Sequence, residues 1–264
     1  MSPSRFCRRC RLLRVQTVLT LTLFLSLIPN IALAQLRVIS SGGFRGAYLA
    51  VLPTFEEATG IIVTTAAGAS QGDGPSTIPA QLRRGTPADV VIMSKEGLED
   101  LVREGRIVPA SQIDLAQSPL AVAVRAGARH PDISSVMAFR DTLLRARSVT
   151  HQGSTTGRYM MEIMFPRLGV AREVGRKLST VGVPAVARGD VEIALQPLSE
   201  LIHAPGAEVV GNVPAELQFV SVFSAAIVAG AEHAAAAKQL IAFLASGATD
   251  AAVRDNGMER VSKR

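Results

Sequence analysis

The chain has 264 residues, enough for one large domain or two small ones. Hydrophobic residues make up 48% of it, aromatics only 4% with no tryptophan, which argues against the stacking surfaces that bind single-stranded nucleic acid or sugars. Arg5, Arg8, Arg9, Arg11 and Arg14 supply five of the 28 basic residues, so the rest of the chain holds 23 basic against 22 acidic residues, and the formal net charge of +6 is no evidence for a nucleic-acid partner.

Residues 1–34 read as a secretory signal peptide. The five arginines form its basic region, an apolar run extends from Val15 to about Ile31, and Ala32-Leu33-Ala34 is a small-residue cleavage signal that makes Gln35 the mature N-terminus. Pro29 favours cleavage over retention as an anchor. Arg8-Arg9 is a weak match to a twin-arginine signal. Both cysteines, Cys7 and Cys10, lie in this leader, so the mature protein is expected to hold no thiol, disulfide or Cys-based metal site. His130, His151, His203 and His233 show no metal-ligand spacing, and neither metal nor cofactor is expected.

The mature chain begins with a strand over Leu36 to Ser40. A helical pattern over Phe44 to Thr59 follows, with Pro53 expected to kink or divide it and Gly60 to stop it. Ile61 to Thr65 reads as a strand, Ile78 to Arg84 as a short helix, Ala88 to Met93 as a buried strand, and Glu96 to Glu104 as a helix. Leu120 to Val124 is a strand, Ser135 to Ala146 a helix, Ser148 to His151 a short strand, and Arg158 to Leu168 a helix. Val174 to Leu178 and Val183 to Arg188 look helical; a turn and strand occupy Gly189 to Gln196, and Pro197 to Ile202 is a short helix. Phe219 to Val228 is a strand pair or one bent strand, and helices over His233 to Ala245 and Thr249 to Asn256 close the chain. Strands alternate with helices, so the fold class is α/β with mostly parallel sheets flanked by helices.

Three loops repeat one composition: a strand end, small hydroxyls with glycine, then a helix start. They are Ser40-Ser41-Gly42-Gly43, Gly68-Ala69-Ser70-Gln71-Gly72-Asp73-Gly74, and Gly153-Ser154-Thr155-Thr156-Gly157. Hydroxyls, free backbone N–H groups and the positive end of a helix dipole favour an anion, and ligands of such sheets bind beyond the carboxyl ends of strands. Ser40, Ser41, Gly42, Gly43, Ser70, Ser154, Thr155 and Thr156 are therefore candidate ligand contacts. Each hydroxyl is also an ordinary N-cap residue. Arg45 and Arg158 stand in first helical turns, where a cation opposes the dipole and an anionic ligand or a surface salt bridge would compensate.

The order of these pieces resembles the periplasmic type II solute-binding proteins, specifically their molybdate-binding branch, over nearly the whole mature chain. The resemblance rests on Phe55-Glu56-Glu57-Ala58-Thr59-Gly60, Pro87-Ala88-Asp89-Val90-Val91, Leu101 to Gly105, Val186 to Ala194, Ala204 to Gly211, and Ala236-Ala237-Lys238 through Phe243-Leu244. It implies two lobes joined by crossing strands with a ligand cleft between them: 35–116 and 218–264 form lobe one, and 117–217 form lobe two. The crossovers fall near Ser118-Pro119 and Leu217-Gln218. It also implies a periplasmic monomer that carries a small anion to an ABC-type permease.

The cleft departs from the molybdate pattern. The usual loop serine falls on Gly43, Arg45 follows where a neutral residue is usual, and Gln196 replaces a tyrosine; its amide could donate to a ligand. A planar guanidinium suits a carboxylate. Ser40-Ser41-Gly42-Gly43-Phe44 is also similar to a branch that includes bacterial aconitate isomerase. A carrier of a small anion is the favoured reading and an isomerase of small polycarboxylates its rival. The latter needs a base, for which His151, Tyr159 and Asp73 are the candidates.

Overall fold

A computed structural model describes residues 35–151 and 154–261, so the leader, with Cys7 and Cys10, and Gly153 of the third loop lie outside the described residues. Nine strands are present among the described residues: β1 (Gln35–Ser40), β2 (Ile62–Ala67), β3 (Val90–Ser94), β4 (Ile113–Arg125), β5 (Val149–Thr150), β6 (Leu178–Ser179), β7 (Ile193–Pro197), β8 (Ala207–Asn212) and β9 (Val220–Ile227). The α-helices are α1 (Gly42–Thr59), α2 (Ile78–Arg83), α3 (Lys95–Arg103), α4 (Val136–Arg145), α5 (Thr155–Tyr159), α6 (Ala171–Gly175), α7 (Val183–Arg188), α8 (Leu198–Leu201), α9 (Ala234–Leu244) and α10 (Asp250–Asp255). A π-helical turn, Met160–Met164, and a last turn, Phe165–Arg167, prolong α5.

The strands are hydrogen-bonded in the order β2-β1-β3-β9-β4-β7-β5-β6, with β8 on β4. β1 runs parallel to β2 and β3, and β5 runs parallel to β6 and β7. The sheet as a whole is mixed rather than mostly parallel, because β4 and β9 make every antiparallel pair. These two strands join the halves. Residues 113–119 of β4 pair with β9, and residues 120–125 pair with β7 and β8.

β4 changes partners at Pro119, which has no N–H to give to a ladder. There the Gln218 side chain substitutes for backbone. Its Oε1 accepts from the N–H groups of Leu120 and Phe219 at 2.6 and 2.9 Å, and its Nε2 donates to the Leu120 carbonyl at 3.1 Å.

Strand alternation sorts the apolar side chains to two faces. In β3, Val90 and Ile92 join one core with Phe44, Tyr48, Phe223 and Leu240, while Val91 and Met93 join another with Ile78, Leu98 and Leu101. In β4 and β7, Leu120, Val122, Ile193 and Leu195 face a third core with Phe139 and Phe165, and Ala121, Ala123 and Ala194 face a fourth with Val186 and Leu201. Each fully buried Leu, Ile, Val or Phe contributes roughly 1.5–3 kcal/mol.

Local differences from the sequence reading have local causes. α1 starts at Gly42 rather than Phe44, and Pro53 lies inside it without dividing it. Gly60 ends it in the left-handed region (φ 69°), donating its N–H to the Glu56 carbonyl, a geometry open to glycine. Leu178 belongs to a strand, not a helix; β8 and the first half of β4 were not anticipated. Asp89, fully buried before β3, accepts from the Arg37 N–H at 2.9 Å, from the Arg37 guanidinium at 3.2 and 3.3 Å, and from the His233 N–H at 3.1 Å. Burial opposes its ionisation, but the bonds from Arg37 prevail and hold the carboxyl below its ordinary range.

Candidate functional site

Six serines and threonines stand at N-caps of the α-helices; Thr249, before α10, gives its hydroxyl to the Leu244 and Ser246 carbonyls, and the other five divide into two kinds. Thr77, Ser94 and Ser135 cap in the ordinary way, accepting from the N–H groups of Ala80, Gly97 and Ala138. Ser41 and Ser154 occupy the same position before α1 and α5 but make no side-chain cap. The first N–H groups of those helices are left uncapped by their own serines.

At α1 the serine is also enclosed. Ser41 is 3% exposed, and its Oγ is buried with no hydrogen-bond partner. Its backbone N–H donates to the Ile92 carbonyl at 2.8 Å, fixing the loop to the end of β3. Ser40 is fully buried, and its hydroxyl donates to the Ser41 carbonyl at 3.1 Å. A Cβ at Gly43 would lie 2.0 Å from the Phe223 ring, so the first turn of α1 can press flat on β9 only with glycine there. Arg45 is partly buried; among the described residues its Nη1 has no partner and it makes no ion pair.

β7 and α8 supply further buried polar atoms without partners. Gln196, on β7, is 2% exposed, and its Nε2 is buried without a partner; the Ser199 Oγ is likewise buried and unpartnered. The Ser199 N–H donates to the Ser118 Oγ at 3.0 Å, anchoring α8 to β4. α8 packs on α1, and a Cβ at Gly42 would stand 3.2 and 3.5 Å from the two Glu200 carboxyl oxygens. Glu200 is partly buried, and burial pushes its carboxyl up to about 7. Glu200 and Ser199 were not among the residues singled out from sequence. The available signal was an acid in the first turn of a short helix directly after the Gln196 strand.

The third loop meets the other two through hydroxyls. The Thr155 Oγ1 donates to the Gln71 Oε1 at 2.7 Å and lies 2.8 Å from the Ser94 Oγ. The Ser70 Oγ accepts from the Ser94 N–H at 2.9 Å. The Thr156 Oγ1 lies 3.1 Å from the Ser221 Oγ, and Ser221 pairs in register with Ser118. Asp73, His151, Ser154 and Arg158 line a cavity of about 590 Å³ with Gln71 and Asp100. Tyr159 lies elsewhere: its hydroxyl donates to the Leu217 carbonyl at 3.0 Å and its ring stacks on Phe219 at 4.8 Å. Burial raises its phenol above the ordinary range. A larger cavity of about 780 Å³, lined by Arg125, Arg129, Arg145, Arg147 and Arg188, holds none of the candidate residues. Among the described residues no group of three or more His, Cys, Asp or Glu could hold a metal ion, and no helix is long and apolar enough to cross a membrane.

Uncapped helix starts at strand ends, on a curled mixed sheet flanked by helices, define the class: the fold is that of periplasmic solute-binding proteins. The structure matches the periplasmic molybdate-binding protein of Azotobacter vinelandii with a TM-score of 0.69 at 19% identity, covering 86% of this chain and 100% of that one. It matches the sulfate-binding protein of Mycobacterium tuberculosis with a TM-score of 0.68 at 19% identity, covering 86% and 87%. The chain belongs to the bacterial extracellular solute-binding protein family, whose model spans residues 36–259. It is also 38% identical over 255 residues to an aconitate isomerase of a Pseudomonas species, a match covering 94% of this chain and 97% of that relative.

Proposed function

We propose that this protein binds a small polycarboxylate of the aconitate class at the start of α1 and moves its double bond, interconverting the trans and cis isomers. The observation that carries this reading is the pair of nearly sealed, unpartnered polar groups, Ser41 Oγ and Gln196 Nε2, beside an uncapped helix start. A buried polar atom without a partner costs about 1–3 kcal/mol, which a ligand supplying that partner recovers. The unpaired Nη1 of Arg45 adds a cation suited to carboxylate. The full-length likeness to an aconitate isomerase supports the same substrate class.

In this reading residues 35–116 and 218–264 form one lobe, 117–217 the other, and the chain works as an exported monomer after loss of residues 1–34. The family membership favours a second reading, a carrier delivering the same anion to an ABC-type permease. The test is a thermal-shift panel of molybdate, sulfate, citrate, cis-aconitate and trans-aconitate, followed by assay for conversion of trans- to cis-aconitate. Tricarboxylates should raise the melting temperature, and Arg45→Ala should weaken their binding at least tenfold while changing a tetrahedral oxyanion little. A shift with molybdate alone would refute the carboxylate site, and binding without turnover would leave the carrier.

A further inference from the structure

The geometry points to Glu200 as the catalytic residue that carries the proton in this isomerisation, an inference that rests on the polycarboxylate reading of the site. Four observations converge on it. Its carboxyl faces Gly42, an exposed residue of the uncapped first turn of α1, so the group borders the space where the ligand's carboxylates find donors. Ser199 beside it and Gln196 at the end of β7 each present a buried polar atom with no protein partner. Glu200 itself makes no hydrogen bond or ion pair with any described side chain, so its lone pairs are not committed to structure. α8 is held from behind by the Ser199 N–H on Ser118, which fixes the carboxyl's position on a strand-anchored turn.

The residues that the sequence offered as bases are placed less well. Tyr159 is committed to the Leu217 carbonyl and stacked on Phe219. His151 and Asp73 line the 590 Å³ cavity, whose lining includes no residue of α1 or α8. The titratable and charged groups on the elements packed against α8 are Arg45, Tyr48, Glu56 and Glu57 of α1, Asp114 and Arg125 of β4, and Glu208 of β8, with His203 just beyond its end; burial alone raises the Glu200 carboxyl to about 7. A base with that affinity is part ionised at neutral pH, both able to take a proton and able to return it.

The step balances without a co-reactant. The Glu200 carboxylate takes a proton from the methylene carbon of trans-aconitate, and the C–H electron pair becomes the new C=C bond. The former C=C pair receives the proton from Glu200 at its far carbon, giving cis-aconitate and restoring the carboxylate. Arg45, Gln196, Ser41 and the N–H groups of α1 hold the carboxylates on which negative charge gathers between the two transfers.

The experiment compares the mature protein with Glu200→Gln, which keeps the size of the side chain. Expected is a loss of turnover on the order of 10²–10⁴-fold, with the thermal shift by trans-aconitate retained. Wild-type kcat/KM should rise through about pH 7 as the carboxyl ionises, and the residual turnover of the variant should lose that rise. Variant turnover within threefold of wild type would overturn the assignment, and so would loss of binding together with turnover, which would make Glu200 a ligand-holding group. Wild type that binds trans-aconitate without turnover refutes the isomerase reading and the base with it, and wild type that does not bind it refutes the site.

Discussion

Asp89 shows how one buried charge fixes a strand end. Its partners come from β1 and from the residue before α9, so it ties the start of the chain to its last quarter. Asp89→Asn keeps the shape but removes the charge from a part-buried pair whose Arg37 retains Glu232, and should cost about 1–3 kcal/mol by urea denaturation. The folded carboxyl titrates below its ordinary range, so the unfolded chain takes up that proton at higher pH than the folded one. The Asp89 contribution is therefore whole above the ordinary carboxylate range and is lost as pH falls through the lowered value; Asp89→Asn should flatten the acid limb of stability against pH, and an unchanged limb would refute the account. The same scale explains what was legible. Ser41 stood out because it follows a strand in a loop of recognisable composition, and Gln196 because it takes the place of a tyrosine in the molybdate pattern. Glu200 did not, because an acid in the first turn of a short helix is a common local pattern; its environment exists only once α8 docks on α1.

At the level of elements, the two kinds of N-cap predict two kinds of mutational response. Ser135→Ala removes a working cap from α4 and should cost about 1 kcal/mol, with ligand binding unchanged. Ser41→Ala removes no cap; it should cost less in stability but reduce the thermal shift by trans-aconitate. Equal stability losses, or an unaltered ligand shift, would mean that Ser41 is an ordinary cap. Most helices and the strands β1, β2, β3, β7 and β9 were readable because periodicity, glycine stops and β-branched runs agreed. The first half of β4 was hidden by Gln117, Ser118 and Pro119, polar and N–H-poor residues that suit a change of partner rather than a ladder. β8 was hidden by its half-exposed pattern on the flank of β4. Loop composition marked the third loop, but not that the Thr155 and Thr156 hydroxyls engage Gln71, Ser94 and Ser221, contacts more than sixty residues distant in sequence.

Across the whole molecule, those hydroxyls join elements of different cores. Thr155→Val keeps the volume but faces Gln71 and Ser94 with a methyl group. The melting temperature of the ligand-free protein should fall, and its radius of gyration in small-angle scattering should grow; an unchanged radius would show that the bonds do not hold the cores together. The cores also differ in how the chain reaches them. One pair draws on residues 120–217 without interruption, while the other needs residues 36–116 together with 223–258. β3 must wait for β9, whose partner residues arrive 129 to 137 positions later. The contiguous pair can therefore condense while the rest of the chain is still being delivered, and the interrupted pair bears the loop-closure entropy of everything between. Folding of this protein should be paced by the return of its C-terminal quarter. Until then β3 offers a bare apolar edge, so the period of greatest exposure to aggregation or proteolysis falls after the middle of the chain is already native.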